Sequence, residues 1–201
     1  ALLALHYNAQ AFLPNLDKAK LNEAACRFPE ITLYTAILEE QFSFYKEVLG
    51  FPVLSKDATQ FSLKIGGSIL IFKQAKNGAA PFYHYAINIP SNKYNEAKKW
   101  LEKRTPLLMD DLFYFDFWDA YAIYFYDHDR NIVELIARKN LKNDSDQPFD
   151  KNSMLEICEI GIATSDVNRE YEILKKTTGI PIHSGNLERF CAIGNDTGLF
   201  I

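Results

Sequence analysis

Four side chains stand where chemistry could be done, and strand periodicity sorts them. Residues 84–89, His-Tyr-Ala-Ile-Asn-Ile, put His84, Ala86 and Asn88 on one face of a strand and Tyr85, Ile87 and Ile89 on the other. Residues 30–35 put Glu30, Thr32 and Tyr34 opposite Ile31 and Leu33. In both, the apolar face is expected to pack on helices and the polar face to line a cleft. Glu134 shares its face with Ile132 and Ile136. A carboxylate buried there must be paired, protonated or bound to a cation. Glu159 opens a similar stretch, with Gly161 and Ala163 on its face. Plainer roles stand beside each. His84 could be hydrogen-bonded within a strand, Glu134 salt-bridged to a basic neighbour, and Glu30, next to Pro29, turned to solvent. Glu159 has no visible partner set and reads as structural.

Aromatic residues crowd between 113 and 126: Phe113, Tyr114, Phe115, Phe117, Trp118, Tyr121, Tyr124, Phe125 and Tyr126. Some must be core. Those before Ala120, Trp118 among them, suit a wall or lid over an apolar or planar ligand, and plain packing is the other use open to them. Asp116 and Asp119 read as exposed loop residues. No Ser-His-Asp or Cys-His arrangement can be read, and Gly66-Gly67 is a hairpin turn rather than a phosphate cradle.

The elements that position these residues come from a chain of 201 residues, 48% hydrophobic and 14% aromatic, enough for a sizeable core. A net charge of −4 and the lack of a basic run make nucleic acid and anionic membrane poor partners. Cys26, Cys158 and Cys191 are odd in number and widely spaced, which suggests neither a disulfide framework nor a zinc knuckle and fits a reducing cytoplasm. No apolar run approaches the ~20 residues needed to span a bilayer. The first five residues are apolar, but lack a basic flank and fall short of the roughly 7–15 residues of a secretory signal core. Residues 1–28 are read as an N-terminal extension, helical in expectation.

The segment from Glu30 repeats from Glu159, 129 positions on. Ile31 meets Ile160, Thr35 meets Thr164, Lys46 meets Lys175, Gly50 meets Gly179 and Pro52 meets Pro181. Each unit reads as a strand, a helix closed by a left-handed glycine, and three short strands. A middle unit has a strand at 83–89, a helix at 94–103 and strands at Leu107-Leu108, 120–126 and 132–137. The expected class is α+β, with three β-α-β-β-β modules forming a curved mixed sheet around a cleft. The expected divisions are an extension over 1–28, a domain of two modules over 29–139, a linker over 140–153 and a third module over 154–201. The small Gly161 and Ala163 and the apolar end Leu199-Phe200-Ile201 predict that this module packs on the first two or on a second chain. A homodimer is the form the second arrangement would take.

The run Leu33-Tyr34-Thr35 with Phe44-Tyr45-Lys46-Glu47-Val48-Leu49-Gly50-Phe51 resembles the first module of the vicinal-oxygen-chelate superfamily of glyoxalase, bleomycin-resistance and extradiol-dioxygenase proteins. Asp127-His128-Asp129-Arg130-Asn131-Ile132-Val133-Glu134-Leu135 is similar to that superfamily's D-P-x-G-N-x-x-E-L ending. His128 and Arg130 replace its proline and glycine. An Arg130 held at positive φ would cost roughly 1 kcal/mol.

The resemblance implies ligand positions at Glu30, Ile71, His84 and Glu134. Ile71 cannot ligate, leaving the carboxylates of Glu30 and Glu134 and the imidazole of His84 for Mn²⁺, Fe²⁺, Ni²⁺, Zn²⁺ or Mg²⁺, with no organic cofactor. Glu30 at an oxygenase His position counts against oxygenase chemistry. The implied activity is that of a divalent-metal-dependent lyase, isomerase or dioxygenase on a small oxygen-chelating substrate. Glu134 would act as catalytic base, with Glu30 the other carboxylate weighed for that role, and Tyr34, Asn88 and Trp118 would contact the substrate. The other reading is a metal-free protein that sequesters a small aromatic compound, which the missing ligand at Ile71 and the aromatic stretch favour.

Overall fold

The structure, a computed structural model, describes residues 26–109 and 113–201. The helical extension expected over residues 1–28 thus lies outside the described residues up to residue 25, as do the side chains of Phe113 and Phe117. The order β-α-β-β-β occurs three times. The first unit holds β1 (Glu30–Thr35), α1 (Leu38–Ser43), β2 (Val53–Lys56), β3 (Gln60–Ile65) and β4 (Ser68–Gln74). The second holds β5 (His84–Ile89), α2 (Tyr94–Glu102), β6 (Phe113–Phe115), β7 (Ala120–Tyr126) and β8 (Ile132–Arg138). The third holds β9 (Glu156–Ile160), α3 (Val167–Thr178), β10 (Ile182–Asn186), β11 (Phe190–Asn195) and β12 (Gly198–Phe200). The fold is α+β. No helix among the described residues is long and apolar enough to cross a membrane.

Local chemistry explains most of these elements. The glycines matched by the repeat both close their helices at positive φ, +74° at Gly50 and +71° at Gly179. The helix expected over 38–49 begins as α1 but widens into a π turn at Phe44–Val48. Leu107-Leu108 is not a strand. Leu107 makes one isolated bridge to Phe125, and the edge strand is Phe113–Phe115.

The strands form two sheets, β1-β4-β3-β2 and β10-β11-β12-β9-β5-β8-β7-β6. No strand of the first unit pairs with a strand of the second among the described residues. The second and third units share the larger sheet, because β5 pairs antiparallel with β9 and not with β1. The backbone N–H of Gly161 donates to the His84 carbonyl at 2.8 Å, and that of Leu155 to the Asn88 carbonyl at 2.8 Å. A Cβ on Gly161 would sit 3.2 Å from that of His84, so the small residue permits this approach. The segment read as a linker is pinned to α2 rather than free. The Phe149 N–H donates to Glu96 at 2.8 Å, and the Phe149 ring meets Trp100 edge-on.

The first unit packs through its helix. Tyr45, Tyr85 and Gln41 are fully buried, and the carboxylate of Asp127 joins them. Asp127 accepts from the Tyr45 hydroxyl at 2.9 Å, the Gln41 amide, and the backbone N–H and side-chain amide of Asn131 at 2.9 and 2.8 Å. Asn131 in turn accepts from the Tyr83 N–H at 2.9 Å. The D-H-D-R-N turn is thus a buried lock between units. Its Arg130 does sit at φ +67°, with its guanidinium carbon 4.2 Å from the Tyr126 ring centroid.

Candidate metal centre on the inner face

The larger sheet turns one face to the helices and an inner face away from them. β5 lies between β8 and β9. Ala86 is in register with Glu134 on one side and with Glu159 on the other. Strict alternation would send Cys158 and Glu159 to opposite faces. The register instead jumps between Ala86 and Ile87, a bulge that makes Cys158 an extra residue. Cys158 then packs with Ala86, Ala120 and Ile136, while its neighbours Ile157 and Ile160 point into the main core. Glu159 is left on the inner face, fully buried.

Three side chains converge there. Ligand atoms of His84, Glu134 and Glu159 lie within 4.8 Å of one another. Atoms 2.0–2.3 Å from a shared ion can be at most ~4.6 Å apart, so slight inward turns suffice. Each residue has one atom anchored and one left over. The His84 Nδ1–H donates to the Ile132 carbonyl at 3.1 Å, which leaves the Nε2 lone pair facing Glu134 Oε2 at 3.5 Å. Arg138 Nη2 donates to Glu159 Oε1. Tyr124 hydrogen-bonds Glu134. Glu134 Oε1 and Glu159 Oε2 are buried without a partner.

Burial sets the protonation. It lowers the His84 imidazole below its ordinary value, so the ring is neutral and Nε2 free to ligate. Burial pushes the Glu134 carboxyl well up, the charge of Glu159 adds to this, and Arg138 pulls it back. Glu159 is raised by burial against the pull of Arg138. Burial, then the Glu134 charge, raises the Tyr124 hydroxyl too.

Of the residues read from the sequence, the structure brings His84 and Glu134 together. Asn88 lies on the same face, fully buried, with neither amide atom hydrogen-bonded. Trp118 covers the patch of Ala86, Ala120, Ile136 and Cys158, and its indole N–H donates to Ser184 of the third unit at 3.2 Å. Glu30 and Tyr34 do not join them. Both lie exposed on β1 of the other sheet, so the set containing Glu30 does not form. Glu159 stands in its place, although the lack of a visible partner set had marked it as structural. Its one sequence signal was the repeat, which aligns it with Glu30. Arg138 had no signal beyond its place on the strand of Glu134, and Tyr124 stood out only as one of the aromatic run.

No protein-family model and no curated protein matches this chain. Solved structures do. A putative dioxygenase from Bacillus subtilis superposes with a TM-score of 0.61 at 16% identity, covering 86% of this chain and 61% of that one. The chain thus spans about three fifths of the Bacillus protein. Lactoylglutathione lyase from Agrobacterium tumefaciens gives 0.46 at 22% identity, over 53% of this chain and 90% of that one. A glyoxalase/bleomycin resistance protein/dioxygenase from Nocardioides gives 0.47 at 21%, over 57% and 85%. At such identities the likeness is one of fold. This chain shares the fold of the putative dioxygenase from Bacillus subtilis.

Proposed function

We propose that the chain binds one divalent metal ion through His84 Nε2, Glu134 and Glu159, and acts as a lyase, isomerase or dioxygenase on a small substrate with two adjacent oxygens. The observation that carries this reading is the pair of buried, unpartnered carboxylate oxygens beside a free imidazole nitrogen. A buried acceptor without a partner costs about 1–3 kcal/mol, more when charged. Two such oxygens beside an imidazole nitrogen are explained by a cation. The second atoms of His84 and Glu159 are tied down by Ile132 and Arg138, as outer partners hold metal ligands in orientation.

A bound divalent ion would supply Lewis acidity to the substrate oxygens. The nitrogen-and-oxygen donor set suits Mn²⁺, Fe²⁺, Ni²⁺, Zn²⁺ or Mg²⁺ without choosing among them. Glu134, whose Oε1 is unpaired, would be the carboxylate to take a proton from substrate when displaced from the ion. The Asn88 amide offers a free donor and a free acceptor for orienting a polar group. Trp118 supplies a flat apolar wall.

Elemental analysis and Mn²⁺ titration of the purified chain test this. One ion per chain is expected, lost in Glu159→Gln. A chain that takes up no divalent ion, yet binds small aromatic compounds, sinks the metal reading in favour of sequestration.

A further inference from the structure

The charge of the centre is not carried by its three acidic and imidazole groups alone. Arg138 is fully buried, four residues beyond Glu134 on β8, and so on the same inner face. Its guanidinium reaches across β5 to Glu159 on β9. It engages Oε1 and leaves Oε2 unpartnered. The third unit braces its other side. Asp196 Oδ1 lies 3.6 Å from Nη1, and Asp196 is itself held by the Asn140 amide at 2.6 Å. The Trp118 ring centroid stands 5.8 Å from the guanidinium carbon.

We infer that Arg138 is the positioning residue of this centre, fixing Glu159 by one oxygen so that the other alone faces His84 and Glu134. The inference rests on the reading of the cluster as a metal site. Without this clamp a buried carboxylate would turn either oxygen inward or take up a proton. With it, Glu159 presents one oxygen in one direction. A planar guanidinium fork suits that task, whereas a lysine offers a point charge without the geometry.

Positioning and simple charge predict opposite outcomes. A cation fixed close to a metal repels it, so if charge alone mattered, Arg138→Met would bind Mn²⁺ more tightly. If Arg138 positions Glu159, Arg138→Met binds Mn²⁺ at least tenfold more weakly, and its Mn²⁺ electron paramagnetic resonance spectrum changes shape. Arg138→Lys should recover part of the affinity. Glu159→Gln keeps the acceptor for Arg138 but loses the ligand, and should weaken binding similarly. The double variant Arg138→Met, Glu159→Gln should then be no weaker than Glu159→Gln alone, since both changes act through one oxygen. Should Arg138→Met fail to fold, the same cycle with Arg138→Lys decides.

A wild-type chain that binds no Mn²⁺ overturns the metal reading and this inference with it. A wild-type chain that binds Mn²⁺ while Arg138→Met binds equally well or better overturns the positioning role alone.

Discussion

Glu134 and Glu159 stand on different strands of different units, yet both are in register with the same residue, Ala86 of β5, which lies between them. The inner face at Ala86 is a methyl group, so two carboxylates from either side can lean over it toward His84. A larger residue would fill that space. Ala86→Leu is expected to abolish Mn²⁺ binding and, by overpacking a fully buried position, to cost about 1–3 kcal/mol. Titration calorimetry and urea unfolding read the two effects. Unaltered Mn²⁺ affinity in a folded variant would show that the carboxylates do not converge over Ala86.

His84→Ala should remove metal with little loss of stability. The ring is partly exposed, and its Nδ1–H is bonded to a backbone carbonyl. Metal content should fall at least tenfold, with a stability change below about 1 kcal/mol. A melting point lowered by many degrees with metal uptake intact would return His84 to a purely structural role.

Metal affinity should rise with pH. Burial raises the carboxyls of Glu134 and Glu159, so in the metal-free chain a proton competes for the ligand oxygens. Both folded values lie above the ordinary 4.5. The stability they contribute is therefore fully present below that value and is lost as pH rises through the raised ones. His84 works the other way. Its lowered value means that its contribution is present above 6.5 and lost as pH falls through that lowered value. Calorimetry in buffers of different ionisation enthalpy should detect proton release on Mn²⁺ binding. No release, and an affinity independent of pH, would contradict a buried carboxylate centre.

Asp127→Ala should be among the most damaging substitutions in the first two units. It strips the acceptor from Tyr45, Gln41 and Asn131 in a buried setting. The expected cost is at least about 3 kcal/mol, from several orphaned donors. Chemical denaturation measures it. A loss under 1 kcal/mol would mean that water or another acceptor replaces the carboxylate.

Removing residues 153–201 should uncover the His84, Ala86 and Asn88 edge of β5 and take Glu159 from the centre. Such an edge invites pairing with other chains. The shortened protein is expected to aggregate or to melt without cooperativity, as light scattering and calorimetry would record. A soluble, monomeric and equally stable product would show that the third unit is a separate appendage.

Much of this was legible in the residues themselves. The glycines at 50 and 179 announced the ends of two helices, because a left-handed position penalises any side chain. Two-residue alternation put His84 and Asn88 on one face of their strand, because backbone pleating leaves no other choice. The chelate-type ending left open a positive φ at Arg130 or a different turn, and the φ is positive.

Three things were decided only in the tertiary structure. Every strand edge offers the same row of N–H and C=O groups, so nothing local says that β5 takes β9 rather than β1. That choice exchanged Glu30 for Glu159. A bulge is one uncounted residue that alternation cannot register, and here it lets Cys158 and Glu159, neighbours in the chain, both face inward. A long arginine side chain spans two strands, so the partner of Arg138 depended on which strand lay beyond β5. Periodicity along a chain determines which way a side chain points, but the meeting of side chains depends on which edges pair, and that is a property of the packed whole.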